Sequence, residues 1–195
     1  MFKKLFSLLF VFAFLQISSV FSASYDVQCE PRLQKYLAAI QKLPEGRELI
    51  TKVQKEGPIR IAATDYSLAQ QFGAFWDPDL RIIYLNPTPN RQEGSIIGSL
   101  LFELHNALGN SKINQLDELA ARRQIQKDKY VESMEYLEYQ NSLQASAIAE
   151  KGIQLGIFPP GAHLPTYSCF EEHYHYQKIG GHSAWFARNY DEMAM

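Results

Sequence analysis

The residues best placed for chemistry lie in the stretch 101–107, which reads Leu-Phe-Glu-Leu-His-Asn-Ala. A glutamate with one histidine directly before it and another three positions after it can serve as the base beside a zinc ion that the two imidazoles hold. Here the glutamate is Glu103, but Phe102 and Asn106 occupy the two ligand positions. A phenyl ring has no lone pair for a metal, and a carboxamide is a poor replacement for imidazole at a zinc site. The stretch therefore keeps the base and lacks the metal ligands.

The same stretch is predicted to lie on an amphipathic helix. At about 100° per residue, its apolar side chains fall within an arc of about 140°; they are Ile96, Ile97, Leu100, Leu101, Leu104 and Leu108. Phe102, Glu103 and Asn106 project from the other side, within roughly 100° of one another. His105 points away from them by about 80° or more, which favours a histidine packed against a sheet over a metal ligand. We expect one face of this helix to be packed and the other to line a cleft.

The segments before the helix indicate a small sheet. Residues 31–40 and 46–53 show helical spacing of apolar positions. Residues 59–63 alternate as a half-buried strand does, and 80–85 is the clearest strand in the chain. The intervening residues 65–79 are rich in aromatic and small side chains and end in an Asp-Pro-Asp turn. Two strands separated by such a loop predict an antiparallel hairpin.

The segments after the helix predict a long helical region. Glycine and proline are absent from 116–151, which favours either one long helix or two helices with a kink near 126–128. Successive breakers in 156–161 end it, and an irregular aromatic tail is expected beyond them. Together the patterns predict an α+β protein: a small antiparallel or mixed sheet packed on helices, within one domain over 23–195.

This order of elements resembles that of the minimal zincin metallopeptidases. The similarity covers about residues 46–119 and rests on a helix, a strand, an aromatic loop with Trp76-Asp77-Pro78, a strand ended by Asn86-Pro87, and the capped helix that bears Glu103. The chain looks most like the small effector-type zinc endopeptidases of bacterial pathogens. The resemblance implies a sheet packed on the motif helix, with its edge strand beside the cleft to align an extended substrate. Residues 80–85 are expected near that edge.

The resemblance also implies roles for individual residues. Phe102 and Asn106 match the two zinc-binding histidines, Glu103 matches the base, and Glu118 is the nearest match to the third ligand. With both histidines replaced, Glu103 has no metal-bound water to activate. The resemblance thus implies a catalytically inactive pseudopeptidase that binds a peptide or a protein and needs no cofactor.

Three alternatives remain open at this point. The first is a metal-dependent hydrolase or peptidase with zinc held by a rebuilt ligand set drawn from His105, Glu118 or histidines near the C-terminus. The second is a structural envelope protein. The third is that the motif is a coincidence, because one glutamate and one histidine on an amphipathic helix are ordinary.

Histidines near the C-terminus form a second group that could bind a metal. His173 and His175 would share one face of a strand, which makes half of a zinc or copper site. No other ligands stand at a recognised spacing from them. The alternative is an aromatic, hydrogen-bonded surface segment that packs over the long helical region.

The first residues predict an exported protein. Residues 1–22 have the parts of a signal peptide: Lys3 and Lys4, an apolar run over 5–15, and a small-residue cleavage site near Ser22. Export would place the chain in the periplasm, in the envelope or outside the cell, with no transmembrane segment in the mature part. Losing two lysines changes the net charge from −2 to −4 (−2 − 2), which gives nucleic acid no basic surface.

The two cysteines, Cys29 and Cys169, are expected to meet an oxidising compartment after export. A disulfide between them would close a very long loop and stabilise the fold by about 4–5 kcal/mol in the chain-entropy model. The alternative is a pair of free thiols, as in a protein delivered onward into a host cytosol.

Overall fold

The computed structural model describes residues 27–195, so the predicted signal peptide lies outside the described residues. The described chain is α+β, as the sequence predicts. Its four strands are β1 (Val27–Cys29), β2 (Ile59–Ala63), β3 (Ala74–Asp77) and β4 (Ile82–Leu85). Its α-helices are α1 (Gln34–Gln41), α2 (Pro44–Lys55), α3 (Ser67–Phe72), α4 (Glu93–Leu108), α5 (Asn110–Ala121), α6 (Lys127–Gln154), α7 (Phe170–Gly180) and α8 (His182–Met193).

The sheet is mixed, with the strand order β1-β2-β4-β3. The expected antiparallel hairpin between 59–63 and 80–85 is wrong, because β2 and β4 run parallel, with Arg60 opposite Ile82 and Ala63 opposite Leu85. The aromatic segment between them is not a loop: it forms α3 and then β3, which returns the chain to the start of β4. The antiparallel partner of β4 is β3. Asp77 fixes the turn between these strands, since its Oδ1 accepts the backbone amides of Asp79 and Leu80 at 3.1 and 2.9 Å.

The main core lies between the sheet and α4, with α1 and α2 packed on the same helix. The apolar positions 96, 97, 100, 101 and 104 of α4 are buried, as the helical spacing predicts. Each such side chain stabilises the fold by about 1.5–3 kcal/mol relative to exposure. Gly94 allows the turn at 160–162 to approach α4, because a Cβ on Gly94 would lie 2.4 Å from the backbone of Gly161 and Ala162. That contact places the segment 163–167 beside the helix.

The long helical region is two helices, which is the second of the two predicted alternatives. The chain breaks at 122–126, where Arg123 has a positive φ of 54°, and α6 then runs back past α4. The longest helix, α6, has 28 residues. Within residues 27–195 neither α6 nor any other helix is apolar over a length that would cross a bilayer.

The C-terminal part is not the irregular tail expected from the sequence. It forms α7 and α8, joined at Gly181, whose φ of 82° is the left-handed conformation that favours glycine. These two helices pack on α6 largely through aromatic and histidine side chains, with Ala187 and Met193 of α8 beside them. Tyr130 of α6 and Phe186 of α8 are both almost fully buried in this second core. Aromatic and histidine residues stand on both faces of these helices, so the sequence shows no clear helical period there.

Both cysteines are free thiols in the structure, so the expected bridge between Cys29 and Cys169 is not formed. Cys29 lies in β1, and its partial burial, followed by the nearby charge of Glu30, raises the pKa of the thiol to about 11. Cys169 is exposed directly before α7. A thiol with a raised pKa forms little thiolate at neutral pH, which makes Cys29 a slow partner in disulfide exchange.

Candidate functional site

A cavity of about 1010 Å³ lies between β3, α4, α6, α7 and α8, and the segment 163–167 covers part of it. We refer to it as the central cavity. Phe102, Glu103 and Asn106 all line its wall. All four residues of the edge strand β3 line it as well. The face of α4 that the sequence assigns to a cleft is thus the face that meets this cavity.

Glu103 and Glu138 share one amide donor in the cavity wall. The Asn106 side chain donates through Nδ2 to Oε2 of Glu103 at 3.0 Å and to Oε1 of Glu138 at 3.4 Å. Asn141 in turn donates to Oδ1 of Asn106 at 2.8 Å, which fixes the orientation of that amide. The array links α4 to α6. We call Glu103 and Glu138 the carboxyl pair.

The environment of Glu103 favours its protonated form. Burial is the main cause and the charge of Glu138 the second; together they raise the pKa of Glu103 to about 8, against the lowering effects of Asn106, His182 and the backbone amide of Trp76. Burial also raises the pKa of Glu138. A carboxyl group that holds its proton at neutral pH can donate a hydrogen bond but cannot take a proton from water. Glu103 is therefore unsuited to the base role at pH 7.

A second buried carboxylate, Glu135, joins α6 to α7 and α8. It accepts a hydrogen bond from Ser183 Oγ at 2.7 Å and lies 3.2 Å from Nδ1 of His182 and 3.5 Å from Nε2 of His173. Burial alone would raise the pKa of Glu135, but the bonds from the two histidines and Ser183 outweigh it and lower this pKa to about 2. Although burial opposes it, the bond to Glu135 also raises the pKa of His182. We call these four residues the Glu135 cluster.

His173 belongs to this cluster and also lines the central cavity. The residue is 4% exposed, its Nε2 lies 3.5 Å from Glu135, and neither ring nitrogen makes a well-aligned hydrogen bond among the described residues. The rings of Tyr139 and Tyr167 flank it, with centroids 5.5 and 5.4 Å away. The ring is thus held among aromatic side chains in the wall of the cavity, with both nitrogens buried and without a well-aligned partner in the described part of the chain.

The predicted pairing of His173 with His175 is wrong. Both residues lie on the helix α7 rather than on a strand, so a spacing of two places them on different faces. His173 is buried, whereas His175 is exposed. No group of three or more histidine, cysteine or acidic side chains within residues 27–195 is arranged to hold a metal ion.

Two other sequence-predicted site residues lie away from the cavity. The side chain of Glu118 is 69% exposed on α5 and pairs with Arg122. The expectation that it lies beside Glu103 is therefore wrong. The break after α5 instead brings Glu138 of α6 to that place, beside Asn106. His105 is buried, and its Nδ1 bonds the carbonyl oxygen of Leu101 at 2.8 Å. Its orientation agrees with a packed histidine.

Helical spacing in the sequence marks Glu138 as a residue near the buried face of α6. Tyr130, Met134, Glu138 and Asn141 stand four, four and three residues apart, and Tyr130 and Met134 are buried. An acidic residue on such a stripe indicates a buried or cavity-facing carboxylate. Nothing comparable marked His182, whose position depends on how α8 packs against α6.

The arrangement predicts which residues would complete a zinc site if the lost ligands were restored. In a Phe102→His, Asn106→His double variant, two imidazoles on α4 would face Glu138, which gives three protein ligands and an open fourth position. We expect about one equivalent of zinc by metal analysis after dialysis. A further Glu138→Gln change should abolish that binding, whereas Glu118→Gln should leave it unchanged. Zinc binding that survives loss of Glu138, or that never appears in the folded double variant, would contradict the assignment.

Comparisons of the chain with models of protein families, with curated proteins and with solved structures each found no match. The likeness to zincins therefore stays a prediction from the order of the elements and the position of Glu103. The geometry of the central cavity is the basis on which a function can be assigned.

Proposed function

We propose that this chain is a non-catalytic, zincin-like protein that binds an extended peptide or protein segment in the central cavity, alongside β3. The observation that carries the proposal is that β3 is the outer strand of the described sheet and that every one of its residues lines the cavity. An open sheet edge that faces a cavity of this volume is suited to adding one strand from a ligand.

The hydrogen-bond pattern of β3 leaves backbone groups on its outer side without a partner among the described strands. The carbonyl oxygen of Gly73, directly before β3, accepts a hydrogen bond from the backbone N–H of Asn86, directly after β4. In an antiparallel pair, every second residue of a strand bonds the neighbouring strand, and the residues between point their backbone groups the other way. Phe75 and Asp77 therefore direct their backbone groups to β4, whereas Ala74 and Trp76 direct theirs outward. The amide of Trp76 bonds Glu103. The N–H and C=O of Ala74 and the C=O of Trp76 are the groups that a ligand backbone would bond.

The edge strand is held rigidly, which reduces the entropy lost when a ligand binds. The indole Nε1 of Trp76 donates to Oδ1 of Asn110 at 2.9 Å in a buried contact. The guanidinium of Arg91 bonds the carbonyl oxygens of Gly73 and Asn86 at the other end of the strand. A binding edge fixed before the ligand arrives needs no ordering of its own backbone.

The chemistry of the cavity supports binding rather than hydrolysis by the metallopeptidase route. Phe102 presents an apolar ring where that route needs a metal ligand, and Asn106 uses its amide to bond the carboxyl pair. Export, expected from residues 1–22, would present the cavity to proteins of the envelope or of a host.

Synthetic peptides test the proposal without altering the protein. Peptides of about ten residues with blocked ends are selected from a random library by binding to the purified chain, and each is then resynthesised with single N-methyl groups along its backbone. Every second methyl group should weaken binding tenfold or more, because an added strand bonds β3 through alternate residues. Hydrogen exchange should also slow at the amide of Ala74. Methyl groups that act without alternation, or an Ala74 amide that is unaffected, would contradict strand addition at β3.

A further inference from the structure

We infer that the peptide taken up by the central cavity places a basic side chain, arginine or lysine, between Glu103 and Glu138. This inference rests on the proposed function and names the ligand chemistry that the same site selects. It depends on three separate features of the cavity: the charges that line it, the geometry of the carboxyl pair, and the buried ring nitrogens of His173.

The described lining of the central cavity is strongly acidic. Its acidic residues are Asp77, Asp79, Glu103, Asp117, Glu138 and Glu192, and the one lysine or arginine among the described lining residues is Arg91. The guanidinium of Arg91 is already engaged by the backbone of Gly73, Asn86 and Ser95 and by the hydroxyl of Ser99. Arg91 therefore does not neutralise the acids. The other positive charge in the lining comes from His182, whose pKa is raised and which is held by Glu135, so the acids still outnumber the cations and a cationic ligand meets a complementary field.

The carboxyl pair has more acceptor capacity than the surrounding protein uses. Asn106 supplies one nitrogen to both groups, at 3.0 and 3.4 Å, and the oxygens of two carboxyl groups can accept more donors than that. Placing a guanidinium or an ammonium between Glu103 and Glu138 would supply several donors together with a positive charge. A cation there would favour the ionised form of both carboxyl groups, whereas a neutral ligand would leave Glu103 protonated.

His173 supplies the independent indication that a hydrogen-bond donor enters this cavity. Its Nε2 lies 3.5 Å from Glu135, and a neutral ring with its proton on that nitrogen has the lone pair on Nδ1, which is then an acceptor. Both ring nitrogens are buried, and neither makes a well-aligned hydrogen bond among the described residues. His173 lies near Glu138 in the wall of the central cavity. A donor group seated at Glu138 is thus in the neighbourhood of an acceptor that needs one.

The experiment compares peptides that differ in one side chain. Pools of blocked ten-residue peptides, each pool with one residue type fixed at one position, are titrated against the full chain by fluorescence anisotropy. We expect one position at which arginine or lysine binds best. Replacing that residue with citrulline, which keeps the shape of arginine without its charge, should weaken binding tenfold or more, and norleucine should do the same for lysine. Comparing the loss of affinity for citrulline with that for norleucine shows whether the site prefers arginine or lysine.

A matched pair of protein variants locates the contact. Glu138→Gln should weaken the arginine or lysine peptide tenfold or more and leave the citrulline or norleucine peptide within twofold. Glu132→Gln, on the exposed side of the same helix, should leave both unchanged. If neutral and basic peptides bind equally, or if Glu138→Gln affects both alike, the inference fails while the proposed function stands. If no pool binds at all, the proposed function fails and the inference fails with it.

Discussion

Replacing Glu135 with alanine is expected to lower the free energy of unfolding by about 3–5 kcal/mol, because it removes one partner of a buried charged cluster. The Glu135 side chain is fully buried, and His173, His182 and Ser183 all direct polar groups at it from α7 and α8. Without the carboxylate, two imidazoles and a hydroxyl would be left buried with no acceptor. Removal of one partner costs more than the pair itself contributes.

The measurement is urea unfolding at pH 7, followed by circular dichroism. Glu132→Ala on the same helix is the control and should change the free energy of unfolding by less than about 1 kcal/mol, since its side chain is 43% exposed and pairs only with Lys129. A loss for Glu135→Ala no larger than for Glu132→Ala would show that the Glu135 cluster does not hold α7 and α8 on α6. The low pKa of Glu135 adds a second check. Because the pKa of Glu135 is lower in the folded chain than in the unfolded chain, the carboxylate contributes fully to the free energy of unfolding above about pH 4.5. This contribution should be lost as the pH falls toward 2.

The parts of the site that could be predicted from the sequence are those built by residues close to one another along the chain. The face of α4 was predictable because helical periodicity depends on neighbours three and four residues away. The placement of Phe102, Glu103 and Asn106 on a cavity wall follows from that geometry alone. The burial of 96, 97, 100, 101 and 104 does so as well.

The partners of α4 were not predictable, because they come from distant parts of the chain. Glu138 reaches Asn106 across 32 positions, and His182 reaches Glu135 across 47. Glu118 looked suitable because it lies close in sequence, but the helix that carries it turns the carboxylate to solvent. The break at 122–126 sets the angle between α5 and α6, and this angle decides which acidic residue faces α4. No local sequence pattern specifies that angle.

The direction of the strands shows the same limit. Residues 59–63 and 80–85 were recognised as strands from local alternation, although their relative direction depends on what lies between them. Only the presence of both α3 and β3 in that interval makes β2 and β4 parallel. The aromatic segment forms a strand because Phe75 stacks on Tyr84 at 4.9 Å and buried Trp76 bonds Asn110. Phe75 and Trp76 favour a strand, but four residues become one only where β4 is there to pair with them.

The protonation of Glu103 leads to the second large effect, a pH dependence of stability. The pKa of Glu103 in the folded chain is about 8, above the value near 4.3 of an unfolded glutamate. Between these values the folded state binds a proton that the unfolded state has released, so stability falls as the pH rises through this range. The slope is about 1.4 kcal/mol for each pH unit, which gives a total on the order of 5 kcal/mol over this range.

Glu103→Gln removes this titration while keeping an oxygen that accepts the bond from Asn106. We expect the variant and the parent chain to have similar free energies of unfolding at pH 5 and the variant to be more stable by several kcal/mol at pH 9, in urea titrations across that range. His182, whose pKa is also raised, lowers stability in the same direction as the pH rises, but it is present in both proteins and largely cancels in their difference. Glu132→Gln should give a difference in the free energy of unfolding that does not change with pH.

Two outcomes would contradict the prediction. If the difference in the free energy of unfolding between Glu103→Gln and the parent chain does not change with pH, Glu103 is ionised in the folded chain. If the parent chain becomes the more stable protein as the pH rises, the carboxylate of Glu103 has a cationic partner. Either result would remove the physical reason for treating Glu103 as a hydrogen-bond donor at neutral pH, because that role requires burial beside Glu138 to keep the proton in place.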